Sequence, residues 1–196
     1  AREKANADDA KNAYVETTIE QSSFVHIGGI WAILALGTNG MPVCFLEKFN
    51  LPEWRLAIAT YQPGSCRLPP AAIKMILDAD IPAEELSCIR YVRCGSAPLM
   101  PEMGDAMFDR YGIIVLTNYG ATEFSGSLAS WSVQDFQEKR HSRRGAVGRL
   151  HEGIEARVID LETGHIVPNG QEGVLELKGF AIGNGQDWLR TSDLAR

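Results

Sequence analysis

The segment IIVLTNYGATEF, from Ile113 to Phe124, decides how the chain is interpreted, because it joins strand-forming residues to a dense group of functional side chains. The apolar run IIVLT predicts a buried strand, which we expect to stop at Asn118. An aromatic ring, a glycine, a hydroxyl and a carboxylate then follow at positions 119–123. One interpretation is a strand followed by a turn. The other is a nucleotide site, in which the ring meets a base and the oxygen-bearing side chains meet phosphate and metal.

Helical patterns alternate with strand patterns through the first two thirds of the chain. Asn50 offers a helix cap, with a proline and a glutamate in the turn that follows. Strands that alternate with helices predict crossover units, and therefore an α/β fold with a largely parallel sheet and flanking helices. The predicted helices begin at Asn50, at the Pro69-Pro70 pair and after Pro101, and the predicted strands are VCFLE (Val43–Glu47), CIRYVRC (Cys88–Cys94) and IIVLT.

The pattern changes after about residue 142. Ala156–Leu161 and Gly173–Leu177 show near-alternating apolar residues, separated by turn formers and without a helical stripe. This is typical of antiparallel β structure. We therefore predict three parts: a polar N-terminal extension (1–21), an α/β subdomain (22–141) and a small, barrel-like antiparallel subdomain (142–196).

Composition narrows the function classes. The net charge of −6 argues against a nucleic-acid partner, and the basic run at 139–144 is interpreted as a solvated or phosphate-facing loop rather than a nucleic-acid patch. The four cysteines lack metal-ligand or paired spacing, which favours buried thiols in a reducing compartment. Residues 1–13 are polar and charged, so no signal peptide is expected there, and the apolar run Phe24–Gly37 is too short to span a bilayer. A cytoplasmic protein without a membrane span is expected.

Two polar, glycine-bearing segments each follow a predicted strand. Gly95-Ser96-Ala97-Pro98 follows CIRYVRC, and the segment 118–123 follows IIVLT. Ligands of open α/β sheets bind beyond the carboxyl ends of the strands. Thr122 offers a donor for a phosphate oxygen, and Glu123 offers a hard oxygen suited to magnesium. We predict that the two segments lie at one edge of the sheet.

These residues resemble the motifs of the adenylate-forming enzymes, which include acyl-CoA synthetases, luciferases and peptide-synthetase adenylation domains. The order and spacing of the motifs agree from about residue 22 to 196. The matching segments are YGATE (119–123) with the family's YGxTE, GSAP (95–98) with GGAP, WLRTSDL (188–194) with WLRTGDL, FVHIGG (24–29) with FHxxG, GAVGR (145–149) with GxxGxP and GQEGVL (170–175) with GExGEL.

The resemblance implies a role for each matching residue. Tyr119 would stack on adenine, Thr122 would contact the α-phosphate, Glu123 would hold magnesium and Asp193 would accept hydrogen bonds from the ribose. His26 would lie near the acyl pocket and, with Thr122 and Glu123, is taken as catalytic. The rest of the implied nucleotide site comprises Gly95, Ser96, Ala97 and Pro98 on the other face of the adenine, together with Asn118, Gly120 and Ala121.

The chain also departs from the family pattern. Residues 1–23 contain nothing like the family's Ser/Thr/Gly-rich phosphate loop ending in lysine, and the lysine-bearing lid that would follow Asp193 is not part of the sequence. Ser192 replaces the usual glycine before the ribose aspartate. We therefore interpret the chain as the central fragment of the family's large N-terminal domain, expected to be inactive by itself and to self-associate through the face that the fragment leaves uncovered.

The implied activity is that of an acid–thiol ligase, an AMP-forming acyl-CoA ligase. It would use ATP and Mg²⁺ to convert a carboxylic acid to an acyl adenylate and transfer the acyl group to coenzyme A. The alternative is a non-catalytic nucleotide- or acyl-binding module. An unrelated reductase fold is a third option, but it needs a G-x-G-x-x-G after a first strand, which the sequence lacks. The implied acyl pocket includes Trp31, Phe124, Ser125 and Gly126. The apolar residues near Trp31 favour a hydrophobic acid, in keeping with a role in fatty acid metabolism, but a buried helix would show the same pattern.

Overall fold

The computed structural model describes residues 17–196, so most of the polar extension predicted for residues 1–21 lies outside the described part. The helices are α1 (Ile27–Asn39), α2 (Leu51–Tyr61), α3 (Pro70–Asp78), α4 (Pro101–Tyr111) and α5 (Val133–Lys139). The strands are β1 (Thr18–Glu20), β2 (Val43–Phe45), β3 (Ser65–Arg67), β4 (Tyr91–Cys94), β5 (Ile114–Ala121), β6 (Gly126–Ser130), β7 (Arg149–Leu150), β8 (Ile154–Ile159), β9 (Gly173–Gly179) and β10 (Leu189–Ala195).

The central sheet has the strand order β3-β4-β5-β6-β7. β3, β4 and β5 run parallel, and β6 and β7 extend the sheet in antiparallel pairing. A separate sheet of three antiparallel strands has the order β10-β9-β8. The predicted α/β class, with a parallel sheet, flanking helices and a small antiparallel unit, is confirmed.

The predicted helix starts are also confirmed, and they have local causes. The side chain of Asn50 caps α2 by accepting a hydrogen bond of 3.2 Å from the backbone N–H of Glu53. Prolines occupy the first turns of α2, α3 and α4, where a missing N–H leaves no hydrogen bond unmade. Gly112 ends α4 in the left-handed region at φ 68°, which places the chain at the start of β5.

One boundary differs from the sequence-based prediction. The strand expected to stop at Asn118 continues to Ala121, because residues 118–121 pair with β6 in an antiparallel ladder. Asn118 and Tyr119 are therefore strand residues and not part of a loop beyond a strand. The register shifts between Tyr119 and Gly120, so the hairpin contains an irregularity at the motif itself.

The two faces of the central sheet are chemically different. Cys66, Val92 and Val115 are partners across β3, β4 and β5, and all three are buried in the main core. That core is completed by buried side chains of the flanking helices, including Trp54, Ile58, Ile73, Ile76 and Met107. The opposite face carries the candidate site described below.

β1 and β2 form a separate parallel pair beside the central sheet. Residues 18–20, which lie in the range predicted as a polar extension, are thus a strand, and both Ile19 and Glu20 are fully buried. An Oε1 of Glu20 accepts hydrogen bonds from the backbone N–H groups of Gln21 and Ser22, at 3.0 and 2.8 Å. The buried carboxylate therefore fixes the turn that leads toward α1.

Helix α1 exposes much of its apolar surface. Ile30, Ile33, Leu34 and Leu36 are 39–45% exposed, and Trp31 is 49% exposed. The helical part of the apolar run Phe24–Gly37 is thus largely uncovered in the described part of the chain. Among residues 17–196, no helix has the length and apolar character required to cross a membrane.

The small sheet confirms the antiparallel prediction and extends it. β8 and β9 correspond to the predicted strands Ala156–Leu161 and Gly173–Leu177, with ends shifted by up to two residues. β10 contains most of the WLRTSDL segment. Glu176 of β9 is buried between Arg157, at 2.6 Å, and Arg190, at 3.2 Å. β7 lies in the range assigned to this subdomain but pairs with β6, so it belongs to the central sheet.

Candidate functional site

A cavity of about 890 Å³ opens on the face of the central sheet opposite the main core. It lies between the start of α1, the ends of β3 to β5 and the β5–β6 hairpin. Its lining contains eight of the predicted site residues, namely His26, Gly95, Ser96, Asn118, Gly120, Ala121, Thr122 and Glu123.

The two glycine-bearing segments meet at one edge of the sheet, as predicted. β4 and β5 are neighbours, with Cys94 paired to Thr117, so the chain leaves β4 at Gly95 beside Asn118. A Cβ at Gly95 would overlap the side-chain amide of Asn118. A larger residue at this position would therefore force the Asn118 side chain to move. Ser96 follows at φ 70°, in the left-handed region that non-glycine residues rarely adopt.

The β5–β6 hairpin carries Thr122 and Glu123 at its tip, in a short 3₁₀ turn. Gly120 permits this geometry, because a Cβ there would overlap the backbone carbonyl of Gly126 on the facing strand. Thr122 and Glu123 are both exposed and line the cavity. The hairpin thus presents a hydroxyl and a carboxylate side by side to a ligand.

Tyr119 and Asp193 lie together but do not line the cavity. The phenol of Tyr119 donates a hydrogen bond of 2.5 Å to Oδ2 of Asp193, which places the carboxylate of β10 against the ring of β5. Burial of the phenol and, secondly, the adjacent Asp193 carboxylate raise the pKa of Tyr119 above its usual range. The other two predicted residues, Ala97 and Pro98, are exposed beyond the cavity lining.

Helix α1 closes one wall of the cavity. His26 is exposed at its N-terminal cap position, and its side chain makes no capping bond. Nε1 of Trp31 donates a hydrogen bond of 3.1 Å to the backbone oxygen of Ser125, which ties α1 to the hairpin. Of the four residues expected in an acyl pocket, Trp31, Ser125 and Gly126 line the cavity. Phe124 is instead buried in the second core with Leu128 and Ile154.

Several residues in the lining were missed by sequence reasoning. Ser130 and His151 form a hydrogen bond of 2.9 Å between Oγ and Nε2, and Nε1 of Trp131 donates to the carbonyl of Ala146 at 2.6 Å. Arg67 and Arg93 also face the cavity. The alternation of Arg93 with the apolar Val92 and Cys94 was a usable signal for Arg93, since it predicts the face away from the core.

The metal-binding capacity of the cavity is limited. Residues 17–196 contain no group of three or more His, Cys, Asp or Glu side chains able to hold a metal ion. Glu123 is a single carboxylate at the hairpin tip. One carboxylate fits a magnesium ion that is held mainly by the phosphates of a nucleotide, which is how protein sites commonly bind this ion.

The comparison of sequences identifies the family. The profile of the family described as AMP-binding enzyme matches residues 5–185. The chain is 37% identical over 180 residues to 4-coumarate--CoA ligase-like 8 of Arabidopsis thaliana, covering 84% of this chain and 32% of that protein. It is 34% identical over 207 residues to peroxisomal OPC-8:0-CoA ligase 1 of the same plant, covering 96% of this chain and 36% of that protein. The chain therefore spans about a third of the length of these relatives.

Solved structures show the same fold at low identity. O-succinylbenzoate coenzyme A synthetase (MenE) of Bacillus subtilis, in complex with AMP, superimposes with a TM-score of 0.73 and 19% identity, covering 97% of this chain and 40% of that chain. A luciferase-like enzyme of the mealworm Zophobas morio gives a TM-score of 0.78 and 18% identity, covering 91% and 45%. With the matched profile and the shared fold, the chain belongs to the AMP-binding family of adenylate-forming enzymes.

Proposed function

We propose that this chain forms the nucleotide-contacting part of an acid–thiol ligase. In the complete reaction a carboxylate attacks the α-phosphorus of ATP, which gives an acyl adenylate and pyrophosphate. A thiol then attacks the acyl carbon and releases AMP. The observation that carries the proposal is the meeting of Gly95, Asn118, Thr122 and Glu123 in one cavity at the ends of β4 and β5. Two relatives described above are named as CoA ligases, which supports coenzyme A as the thiol.

The cavity supports the roles of Thr122 and Glu123 around the nucleotide, and the family motifs support those of Tyr119 and Asp193, which lie together outside the cavity lining. The Thr122 hydroxyl donates to an oxygen of the α-phosphate, and the adjacent Glu123 carboxylate ligates a nucleotide-bound magnesium ion. The ring of Tyr119 packs on the adenine. Asp193 accepts hydrogen bonds from the ribose hydroxyls, since a carboxylate has lone pairs beyond the one used by the Tyr119 phenol.

The chemistry asked of these residues is mainly positioning. Holding the reacting groups in line removes an entropic barrier of several kcal/mol, about 7–11 kcal/mol in well-oriented systems. When bound, magnesium neutralises phosphate charge. The Thr122 hydroxyl fixes the α-phosphate, and Trp31 and the hairpin form one wall of the cavity.

The isolated 196-residue chain is proposed to bind nucleotide without completing the reaction. Its sequence offers neither the phosphate-loop lysine nor the lid lysine that the resemblance requires. Losing one well-placed donor to a developing charge typically raises the barrier by about 2.7–4 kcal/mol. A chain without two cationic contributors is expected to be slower by several orders of magnitude, although such effects are not additive.

Cytoplasmic localisation stays a prediction.

Two measurements on the isolated chain test the proposal. Calorimetric titration with AMP should show weak binding that Asp193→Ala removes, whereas Asp109→Ala, on the exposed side of α4, leaves it unchanged. ATP–pyrophosphate exchange with a panel of carboxylic acids should be undetectable. No AMP binding by a folded chain would contradict the nucleotide site. Strong exchange that Glu123→Gln abolishes would show instead that the chain is catalytically complete. If the chain binds AMP but a longer protein that contains it has no ligase activity, the non-catalytic binding module is favoured.

A further inference from the structure

Two arginines lie side by side on the floor of the cavity. Arg67 of β3 and Arg93 of β4 are partners in the parallel ladder, and Leu116 of β5 is the next partner in the same row. Partners on adjacent strands lie about 4.8 Å apart and project to the same face. All three residues line the cavity, and the row is opposite the buried core-facing row of Cys66, Val92 and Val115. The sheet therefore presents two guanidinium groups to the cavity.

Only one of the two arginines has an acidic partner within the described residues. Nη1 of Arg67 lies 3.6 Å from the buried carboxylate of Glu20 and donates to the Gly28 carbonyl at 3.4 Å. The guanidinium of Arg93 lies 5.6 Å from the ring centroid of Tyr91, and no carboxylate of residues 17–196 pairs with it. Like charges on adjacent strands repel each other. The row thus carries an excess positive charge in a chain whose net charge is −6.

The surroundings of Arg93 favour a carboxylate at the end of a carbon chain over an inorganic polyphosphate. Leu116, Trp31 and Trp131 supply apolar contact area in the same cavity. A polyphosphate is more often held by a concave run of backbone N–H groups, and a β-strand floor does not provide one. Arginine also matches the planar geometry of a carboxylate, because its fork of N–H groups can make two parallel hydrogen bonds.

Resting on the proposed function, we propose that the acid activated at this site carries a second carboxylate, which Arg93 binds with the support of Arg67. The reacting carboxylate lies toward Thr122 and Glu123, and the second carboxylate lies on the sheet floor. The substrate class is therefore a dicarboxylic acid, in contrast to the hydrophobic acid that the sequence of α1 favours. The apolar residues Ile30, Ile33 and Leu34 do not line the cavity, so they place no apolar surface in the site.

The test compares ligands that differ only by the second carboxylate. Two stable sulfamoyl analogues of acyl adenylates, one with an octanoyl group and one with a 7-carboxyheptanoyl group, are titrated calorimetrically into the 196-residue chain. The carboxylated analogue should bind at least about tenfold more tightly, and the preference should shrink at high salt. Arg93→Met should abolish the preference, Arg93→Lys should retain part of it, and Arg143→Met, which removes the same charge from the basic run, should leave it unchanged.

Two further arms make the outcome decisive. Free suberate and octanoate are compared directly, so the anion site is tested even if AMP and the adenylate analogues fail to bind. Failure of AMP and of the analogues to bind would count against the proposed function and not against the anion site. Inorganic pyrophosphate is titrated into the wild type and Arg93→Met. Equal affinity for the two members of each ligand pair, or a preference that survives Arg93→Met, would overturn the dicarboxylate proposal. Loss of pyrophosphate binding in Arg93→Met without loss of the carboxylate preference would also overturn it.

Discussion

The phenol of Tyr119 and the carboxylate of Asp193 are hydrogen-bonded at 2.5 Å although 74 residues separate them in the chain. The bond joins β5 of the central sheet to β10 of the small antiparallel sheet. It therefore places the residue proposed for the adenine next to the residue proposed for the ribose. In a nucleoside these two parts are directly linked, so neighbouring side chains suit the two proposed roles.

The aromatic ring of Tyr119, more than its hydroxyl group, is expected to determine the affinity for AMP. Tyr119→Ala should weaken AMP binding by about 1–3 kcal/mol, the usual range for a base stacked on an aromatic side chain. Tyr119→Phe keeps the ring and should keep most of the affinity. Tyr61→Ala, at the exposed end of α2, is the matched control. Calorimetry that finds Tyr119→Ala equal to the wild type would exclude stacking on this ring.

The hairpin geometry predicts opposite effects for two glycine-to-alanine changes. Gly120→Ala forces a Cβ into the backbone of the facing strand and should lower the free energy of unfolding by about 2 kcal/mol or more. Gly37→Ala adds a Cβ on α1 where no atom lies within 4 Å, and should raise stability by about 0.5–1 kcal/mol through helix propensity. Urea unfolding measures both. A Gly120→Ala chain as stable as the wild type would contradict the hairpin described above.

Asp135 is expected to stabilise the fold in a pH-dependent way. Hydrogen bonds from Ser132 and Arg149 hold the pKa of Asp135 well below its ordinary value near 3.8. A carboxyl group whose pKa is lower in the folded state stabilises the fold above its unfolded pKa, and this contribution is lost as the pH falls toward the folded pKa.

Asp135→Asn should therefore be less stable than the wild type near pH 6, and the difference should narrow steadily as the pH is lowered from about 5 to about 2. Asp109→Asn removes the same charge from a side chain without a hydrogen bond or ion pair in residues 17–196, and should show little difference at any pH. Chemical unfolding at several pH values tests the prediction. A difference for Asp135→Asn that stays constant across this range would refute it.

The exposed apolar face of α1 is expected to cause self-association of the isolated chain. Contiguous apolar side chains are rarely left in water unless another surface covers them. Changing both Ile33 and Leu36 to Gln should weaken association by about tenfold or more, since each side chain is nearly half exposed. Leu161→Gln, at an exposed turn of the small sheet, is the control. Sedimentation velocity over a concentration series measures the effect, and a monomeric wild type would disprove the expectation.

The sequence was sufficient for features that depend on local pattern. The alternation of helices and strands predicted the α/β class, and proline and asparagine marked helix starts that the structure confirms. The position of Gly95 and Asn118 after two parallel strands predicted a shared edge. These inferences succeed because capping, strand alternation and strand-end geometry act over a few residues.

Other features were decided by tertiary pairing. β5 continues past Asn118 because β6 supplies an antiparallel partner, and no residue before Gly126 signals that partner. Strand alternation placed Arg93 away from the core, but only the register of β3 on β4 placed Arg67 beside it. Tyr119 meets Asp193 because two sheets pack together, and local sequence carries no information about that distance. The sequence thus determined which elements form and where the functional residues lie in them, whereas packing and register, which join residues far apart in the chain, determined which of those residues meet.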